Sequence, residues 1–108
     1  MNKIELDFEK TDGLIPAVVQ DSKTGEILML AFQNPEAYQK TLATGEVYFW
    51  SRSRQKLWKK GETSGNVFKV VEVVTDCDED SVLIKIEHDE KLKACHTGKR
   101  SCFFKKIL

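Results

Sequence analysis

Short apolar runs with turn-forming residues close on either side constrain this chain more than any other feature. LIPAVVQ (14–20) and ILMLAF (27–32) flank Asp21-Ser22-Lys23-Thr24-Gly25, a segment with strong turn chemistry. Residues 14–32 therefore read as a β-hairpin with a five-residue loop. EVYFW (46–50), VFKVVEVVT (67–75) and VLIKIE (82–87) also have strand composition, and Asp76–Ser81 is a turn between the last two. Ser101–Ile107 reads as a final strand. Connections this short cannot hold the dozen or more residues of a parallel crossover, so antiparallel pairing is expected. Asn34-Pro35-Glu36 starts a helix, with an N-cap, a proline at the first helical position and an acid in the first turn, and Gly45 ends it. A short helical turn near 89–94 is a second helical candidate. The expected class is α+β, predominantly antiparallel β with one or two short helices, and residues 1–108 form a single domain.

A chain of 108 residues buries only a modest core, so a metal or a partner chain would help it. No apolar run approaches the roughly 18 residues of a membrane span, and the polar start is unlike a signal peptide, so a cytoplasmic protein without membrane contact is expected. Seventeen basic and seventeen acidic residues cancel, which argues against a nucleic-acid binder. The distribution is uneven, however. Residues 51–65 carry Arg52, Arg54, Lys56, Lys59 and Lys60 against Glu62 alone. That segment suits one or two phosphate groups, or else a solvated strand edge.

Cys77, Cys95 and Cys102 have the spacing C-x17-C-x6-C, not the paired C-x2-C of a structural zinc ribbon. Three thiolates would leave a zinc its fourth position for water, as catalytic sites require. Buried, inert cysteines explain the spacing equally well. The neighbours favour metal. Asp76, Asp78, Glu79 and Asp80 crowd around Cys77, and such self-repulsion is relieved by a divalent cation. If that stretch is extended, the three aspartates share one face and Cys77 takes the other, which suits Mg²⁺ on oxygen and Zn²⁺ on sulfur. His96, adjacent to Cys95, suits proton transfer near neutral pH. His88 has no such context and reads as a surface residue. Trp58-Lys59-Lys60-Gly61-Glu62-Thr63-Ser64-Gly65 is a basic, hydroxyl-bearing glycine loop able to cradle a phosphate. Trp50 and Trp58 are available to stack on a base, although tryptophan more often packs in a core.

WSRSR (50–54), LWKKGETSG (57–65), DCDED (76–80) and ACHTGKRSCF (94–103) together resemble the phosphoribosyl-AMP cyclohydrolases of histidine biosynthesis, as do GLIPAVVQD (13–21) and TGEILMLAFQN (24–34). The likeness runs from about Asp7 to Phe104. It implies hydrolysis of the N1–C6 bond of 1-(5-phosphoribosyl)-AMP, Zn²⁺ on Cys77, Cys95 and Cys102, and Mg²⁺ on Asp76, Asp78 and Asp80. It also implies an intertwined homodimer whose zinc ligands come from both chains. In this reading His96 moves the proton, and Glu62 is a second base or an orienting group. Arg52, Arg54, Trp58, Lys60, Thr63, Ser64, Thr97, Lys99 and Arg100 contact the substrate. A base deaminase is a weaker alternative, because the H-x-E and P-C-x-x-C arrangement is missing.

Overall fold

The computed structural model describes residues 4–108. Six strands and one helix follow in the order β1 (Ile15–Asp21), β2 (Ile27–Gln33), α1 (Pro35–Thr44), β3 (Tyr48–Ser51), β4 (Lys56–Lys59), β5 (Val70–Thr75) and β6 (Val82–Ile86). The hairpin expected over 14–32 is β1–β2, paired antiparallel from Ile15↔Gln33 to Gln20↔Ile27. Asp21 shapes its turn by accepting the backbone N–H groups of Lys23 and Thr24, both at 2.8 Å. The helix begins and ends where its caps stand. Asn34 accepts the Ala37 N–H at 2.9 Å, and Gly45 takes a left-handed φ of 73° while donating to Thr41 O.

Strands β2-β1-β6-β5 form one sheet in that order, and β3–β4 form a separate antiparallel ribbon. β5–β6 is antiparallel, but β1 and β6 run parallel, from Ala17↔Val82 to Asp21↔Ile86. Short connections exclude parallel pairing only between successive strands, and here residues 22–81 lie between the two partners. β1 alternates buried and half-buried residues, and so does β6. Ile15, Ala17, Val19, Val82, Ile84 and Ile86 thereby face a common core with Leu28, Val47, Phe49 and Phe68.

Two expectations fail. Ser101–Ile107 is not a strand, because the chain touches the edge strand β2 only through Ser101 and Cys102. Beyond them Phe103, Phe104, Ile107 and Leu108 are exposed, and among the described residues no strand pairs with them. Apolar composition without a partner ladder does not make a strand. Near 89–94 the backbone makes a single turn, Leu92 N–H to Asp89 O, so α1 is the one helix among the described residues.

Helix α1 buries only Ala37 and Thr41. Thr41 Oγ1 donates to Ala37 O at 2.8 Å and accepts from Gln33 Nε2 and Tyr48 N–H, each at 3.0 Å. Gln33 Nε2 also reaches Tyr48 O at 2.8 Å. This buried polar knot, rather than a broad apolar stripe, seats the helix between β2 and β3. Thr41→Val removes the acceptor of the Tyr48 N–H while keeping the side-chain shape. It should lower stability by about 1–3 kcal/mol in urea denaturation, the usual cost of an orphaned buried donor.

Candidate functional site

The turn from β5 to β6 gathers the acidic cluster. Thr75 Oγ1 donates to Ser81 O at 2.7 Å, Glu79 N–H to Asp76 O at 3.1 Å, and Asp80 N–H to Asp76 Oδ1 at 3.1 Å. Glu79 takes a left-handed φ of 59°. Asp76, Asp78 and Asp80 thereby each place a carboxylate oxygen within 4.8 Å of the others. Their convergence was expected from strand alternation, but the segment curls, and the curl produces it. Slight burial pulls the Asp76 carboxyl upward, yet hydrogen bonds from the Asp80 backbone and from Ser81 outweigh it and hold Asp76 below the usual carboxylate range. Lys10 Nζ stands 2.9 Å from Asp80, and the Asp7 N–H donates to Glu79 O at 2.7 Å, so the N-terminal segment lies against this turn. Three clustered carboxylates suit a hard divalent cation.

The second cluster is built by the loop that follows residue 93. Ala94 N–H donates to Arg100 O at 2.9 Å and Cys95 N–H to Lys99 O at 3.2 Å, with a tight turn through Gly98 between them. Cys102 N–H then donates to Leu28 O at 2.7 Å, and Ser101 Oγ to Ile27 O at 2.7 Å, docking the loop on β2. The fold of the loop brings the Cys95 and Cys102 thiols close enough to shift each other's pKa. Thr97 Oγ1 donates to Cys95 Sγ at 3.0 Å, and with the Thr97 backbone N–H it lowers the Cys95 pKa. Burial, then the neighbouring Cys95, raises that of Cys102. The pair therefore favours one thiolate, on Cys95.

Lys60, assigned to phosphate by the sequence, points toward this pair. Its Nζ donates to Ala94 O at 2.6 Å and lies 5.5 Å from the Phe68 ring centre and 5.9 Å from that of Trp58. Burial lowers its pKa, and the two thiols oppose that shift. A cavity of about 220 Å³ opens here, lined by Lys60, Ser64, Asn66, Lys93, Cys95 and His96. His96, Thr97 and Lys99 are exposed around it, as are Glu62 and Thr63 on the 60–65 loop. Asn66 and Lys93 were missed. Asn66 closes the glycine loop, which was a usable signal, whereas Lys93 reaches the cavity only through tertiary folding.

Arg52 and Arg54 sit in the exposed turn joining β3 and β4. The Arg52 guanidinium stacks 4.1 Å from the Phe32 ring centre, beside a cleft of about 510 Å³ that Trp50 and Trp58 also line. Trp58 in addition packs on Phe49, with ring centres 5.1 Å apart, so it belongs both to the core margin and to this cleft. Arg100 donates to Asp21, Glu26 and two backbone carbonyls. His88 is not a free surface residue: its Nδ1 lies 2.7 Å from Asp21 Oδ2, in contrast to the sequence expectation. The reason is the β1–β6 register, which sets Asp21 opposite Ile86.

Within one chain the three aspartates suit a hard divalent cation, and Cys95 with Cys102 could offer two thiolates to a softer one. Cys77 is exposed on the acidic turn, and among the described residues it shares no three-ligand cluster with the other two.

The molecule is thus a small α+β fold with a three-carboxylate turn and a loop that carries two neighbouring thiols. The family model for phosphoribosyl-AMP cyclohydrolase matches residues 29–104. A phosphoribosyl-AMP cyclohydrolase of Desulfatibacillum aliphaticivorans is 62% identical over 96% of this chain and 82% of its own length. One from Streptococcus mutans is 53% identical over 99% of this chain and 96% of its own. A histidine biosynthesis bifunctional protein of Aquifex aeolicus is 56% identical over 96% of this chain, which covers 50% of that protein. The chain belongs to the phosphoribosyl-AMP cyclohydrolase family.

The 60–66 loop depends on one glycine. Gly61 has a φ of +92°, and a Cβ there would lie 2.4 Å from the Asn66 carbonyl carbon and 2.5 Å from Val67 N. Gly61→Ala should therefore cost about 2 kcal/mol or more by thermal or urea unfolding, combining left-handed strain with a backbone clash.

Proposed function

We propose that this chain hydrolyses 1-(5-phosphoribosyl)-AMP in histidine biosynthesis, opening the adenine ring between N1 and C6 with Zn²⁺ and Mg²⁺. The observation that carries this reading is Cys95, a neighbour of Cys102, on the rim of a cavity it shares with His96 and Lys60, in a chain of this family. Zn²⁺ on Cys77, Cys95 and Cys102 would supply hydroxide near neutral pH, and Mg²⁺ on Asp76, Asp78 and Asp80 would supply positive charge for phosphate.

The protein groups divide the remaining work. His96, exposed beside Cys95, takes the proton released as water adds to C6 of the cationic ring and returns it to N1 as the C6–N1 bond breaks, while the C6 hydroxyl gives up its own proton to solvent and becomes the carboxamide carbonyl. Glu62, on the neighbouring loop, is a second base or orients the water. Ser64, Lys93 and Asn66 line the same cavity, and Thr63 and Lys99 are exposed close by in sequence, so these groups suit one phosphoribosyl phosphate. Arg52 and Arg54, beside the cleft of Trp50 and Trp58, suit the other, with Trp58 against the base. Lys60 and Thr97 are directed at the thiols, which makes them supports of the sulfur ligands as much as substrate contacts.

A second copy of the chain completes the zinc site in this reading by contributing Cys77. Support comes from surfaces that one chain leaves bare. Leu30, Val18, Leu83 and Val74 stand in register across all four strands of the sheet, on the face opposite the core, with Leu30 and Val74 exposed. The tail residues Phe103, Phe104, Ile107 and Leu108 are exposed as well. Apolar surface of this kind favours association.

Incubation with phosphoribosyl-AMP, zinc and magnesium should change the ultraviolet absorbance without releasing ammonia; ammonia would instead indicate a deaminase. Cys95→Ser should lose both stoichiometric zinc and turnover. His96→Ala should keep its zinc while kcat falls at least ~10²-fold, the usual contribution of a general acid–base group. Full activity of Cys95→Ser in chelator-treated buffer would sink the zinc reading.

Cys77→Ser and Cys95→Ser should each be inactive alone. Refolded together, they should regain up to about a quarter of wild-type activity, since random pairing into twofold dimers restores one intact site in each mixed pair. No recovery in demonstrably mixed dimers would place all three sulfurs in one chain.

A further inference from the structure

Arg100 carries more protein contacts than a phosphate-binding arginine can spare. Its Nε donates to Glu26 Oε1 at 2.9 Å and its Nη2 to Asp21 Oδ2 at 2.7 Å. Its Nη1 donates to Asp89 O at 2.7 Å and to Leu92 O at 3.2 Å. All three guanidinium nitrogens are thus engaged with acceptors of the protein itself. Asp21 is equally committed. It is 1% exposed, its Oδ1 accepts two backbone N–H groups, and its Oδ2 faces both Arg100 and His88. A carboxylate buried to that degree requires a cation or a full set of donors, and Asp21 has both.

The main chain of Arg100 does a second job. Its carbonyl accepts the Ala94 N–H, which closes the loop carrying Cys95, and Cys102 follows two residues later on β2. The side chain meanwhile joins that loop to the β1–β2 turn and to the 89–92 turn, two segments otherwise distant in sequence.

We infer that Arg100 and Asp21 are a positioning pair, whose fork of hydrogen bonds holds the Ala94–Cys102 loop in the shape that brings Cys95 and Cys102 together as candidate metal ligands. Arg100 is not a phosphate ligand. The inference rests on the reading of these thiols as metal ligands given under Proposed function. Planarity matters as much as charge here, because four acceptors are met in the plane of one guanidinium, and a lysine ammonium can satisfy Asp21 but not the rest. Groups that orient metal ligands without touching the metal are typically worth about 10- to 100-fold in metal affinity.

The test uses the full-length protein reconstituted with Co²⁺ in place of zinc, followed by its sulfur-to-cobalt charge-transfer absorbance, with affinity from chelator competition. Arg100→Met and Arg100→Lys should both weaken the metal by about 10- to 100-fold, the lysine giving little rescue, while the KM for phosphoribosyl-AMP of the fully loaded variants changes less than about two-fold. The double variant Arg100→Met/Asp21→Asn removes the buried carboxylate charge together with its partly exposed partner, so it should fold even where a single change leaves one charge unpaired. Its unfolding midpoint and circular dichroism establish that fold, and its metal affinity should still be reduced to the level of Arg100→Met alone, since the two residues act as one unit. A folded double variant with wild-type metal affinity overturns the inference. So does an Arg100→Met protein whose only defect is a raised KM, the signature of a lost phosphate contact. Absence of the sulfur-to-cobalt band in the wild type would remove the ligand reading itself, an outcome distinct from either.

Discussion

The parallel register of β1 on β6 is the constraint on which the rest of the molecule depends. Five residue pairs, from Ala17↔Val82 to Asp21↔Ile86, lay the C-terminal half of the chain on the N-terminal hairpin. Burial on both strands fixes that register, since a slip of one residue would turn Ile84 and Ile86 outward and bring Leu83 and Lys85 into the core. The same register delivers His88 to Asp21 and leaves the chain at the hairpin turn, from which the 89–102 segment returns along β2. The acidic turn between β5 and β6 starts from the other end of β6. One strand pairing therefore fixes the origins of both candidate clusters.

Electrostatics then distinguishes the two clusters. The aspartates lie in a largely exposed turn, where water screens their mutual repulsion and, among the described residues, Lys10 is the one cation paired with them. The thiols lie beside a half-buried lysine whose nearest hydrogen-bond partner is a neutral carbonyl. A lysine so placed is poorly solvated, and the thiolate charge nearby offsets that cost. Lys60 and the pair thus stabilise one another's charged forms, and Thr97 selects Cys95 as the sulfur that ionises first.

Much of this was legible in the sequence because it is local. The β1–β2 turn, the Asn34 and Gly45 caps and the Asp76–Ser81 turn each follow from a few adjacent residues whose conformational preferences agree. The candidate ligands were legible for the same reason, since DCDED and ACHTGKRSC are compact strings. What was not legible depends on distant partners. Ser101–Ile107 has the composition of a strand but meets β2 only at its first two residues, and composition does not report how far a segment will follow its neighbour. Arg100 reads as a phosphate contact in a basic string, and its acceptor Asp21 lies 79 residues away. His88 looked unattached because its partner is 67 residues distant. Asp21 itself was read only as a turn residue, which it is, and its second oxygen was invisible to that reading.

The proposed chemistry adds a constraint of its own. Cys77 is flanked by Asp76 and Asp78 in a tight turn, so whatever loop receives its sulfur also receives the three carboxylates. If a second copy supplies Cys77, the zinc and magnesium sites of the proposal are not placed independently: docking one brings the other. A single turn, made rigid by hydrogen bonds among Thr75, Asp76, Asp80 and Ser81, then sets the spacing between the group that supplies the nucleophile and the group that meets a phosphate. Such a device demands that the receiving loop be equally well fixed. The opposite side of that contact would be the Ala94–Cys102 loop, which the Asp21–Arg100 pair fixes. Two short turns, one stiffened by carboxylates and hydroxyls and the other by an ion pair on a buried aspartate, would thereby meet as preformed halves, which lowers the ordering cost of assembling the site.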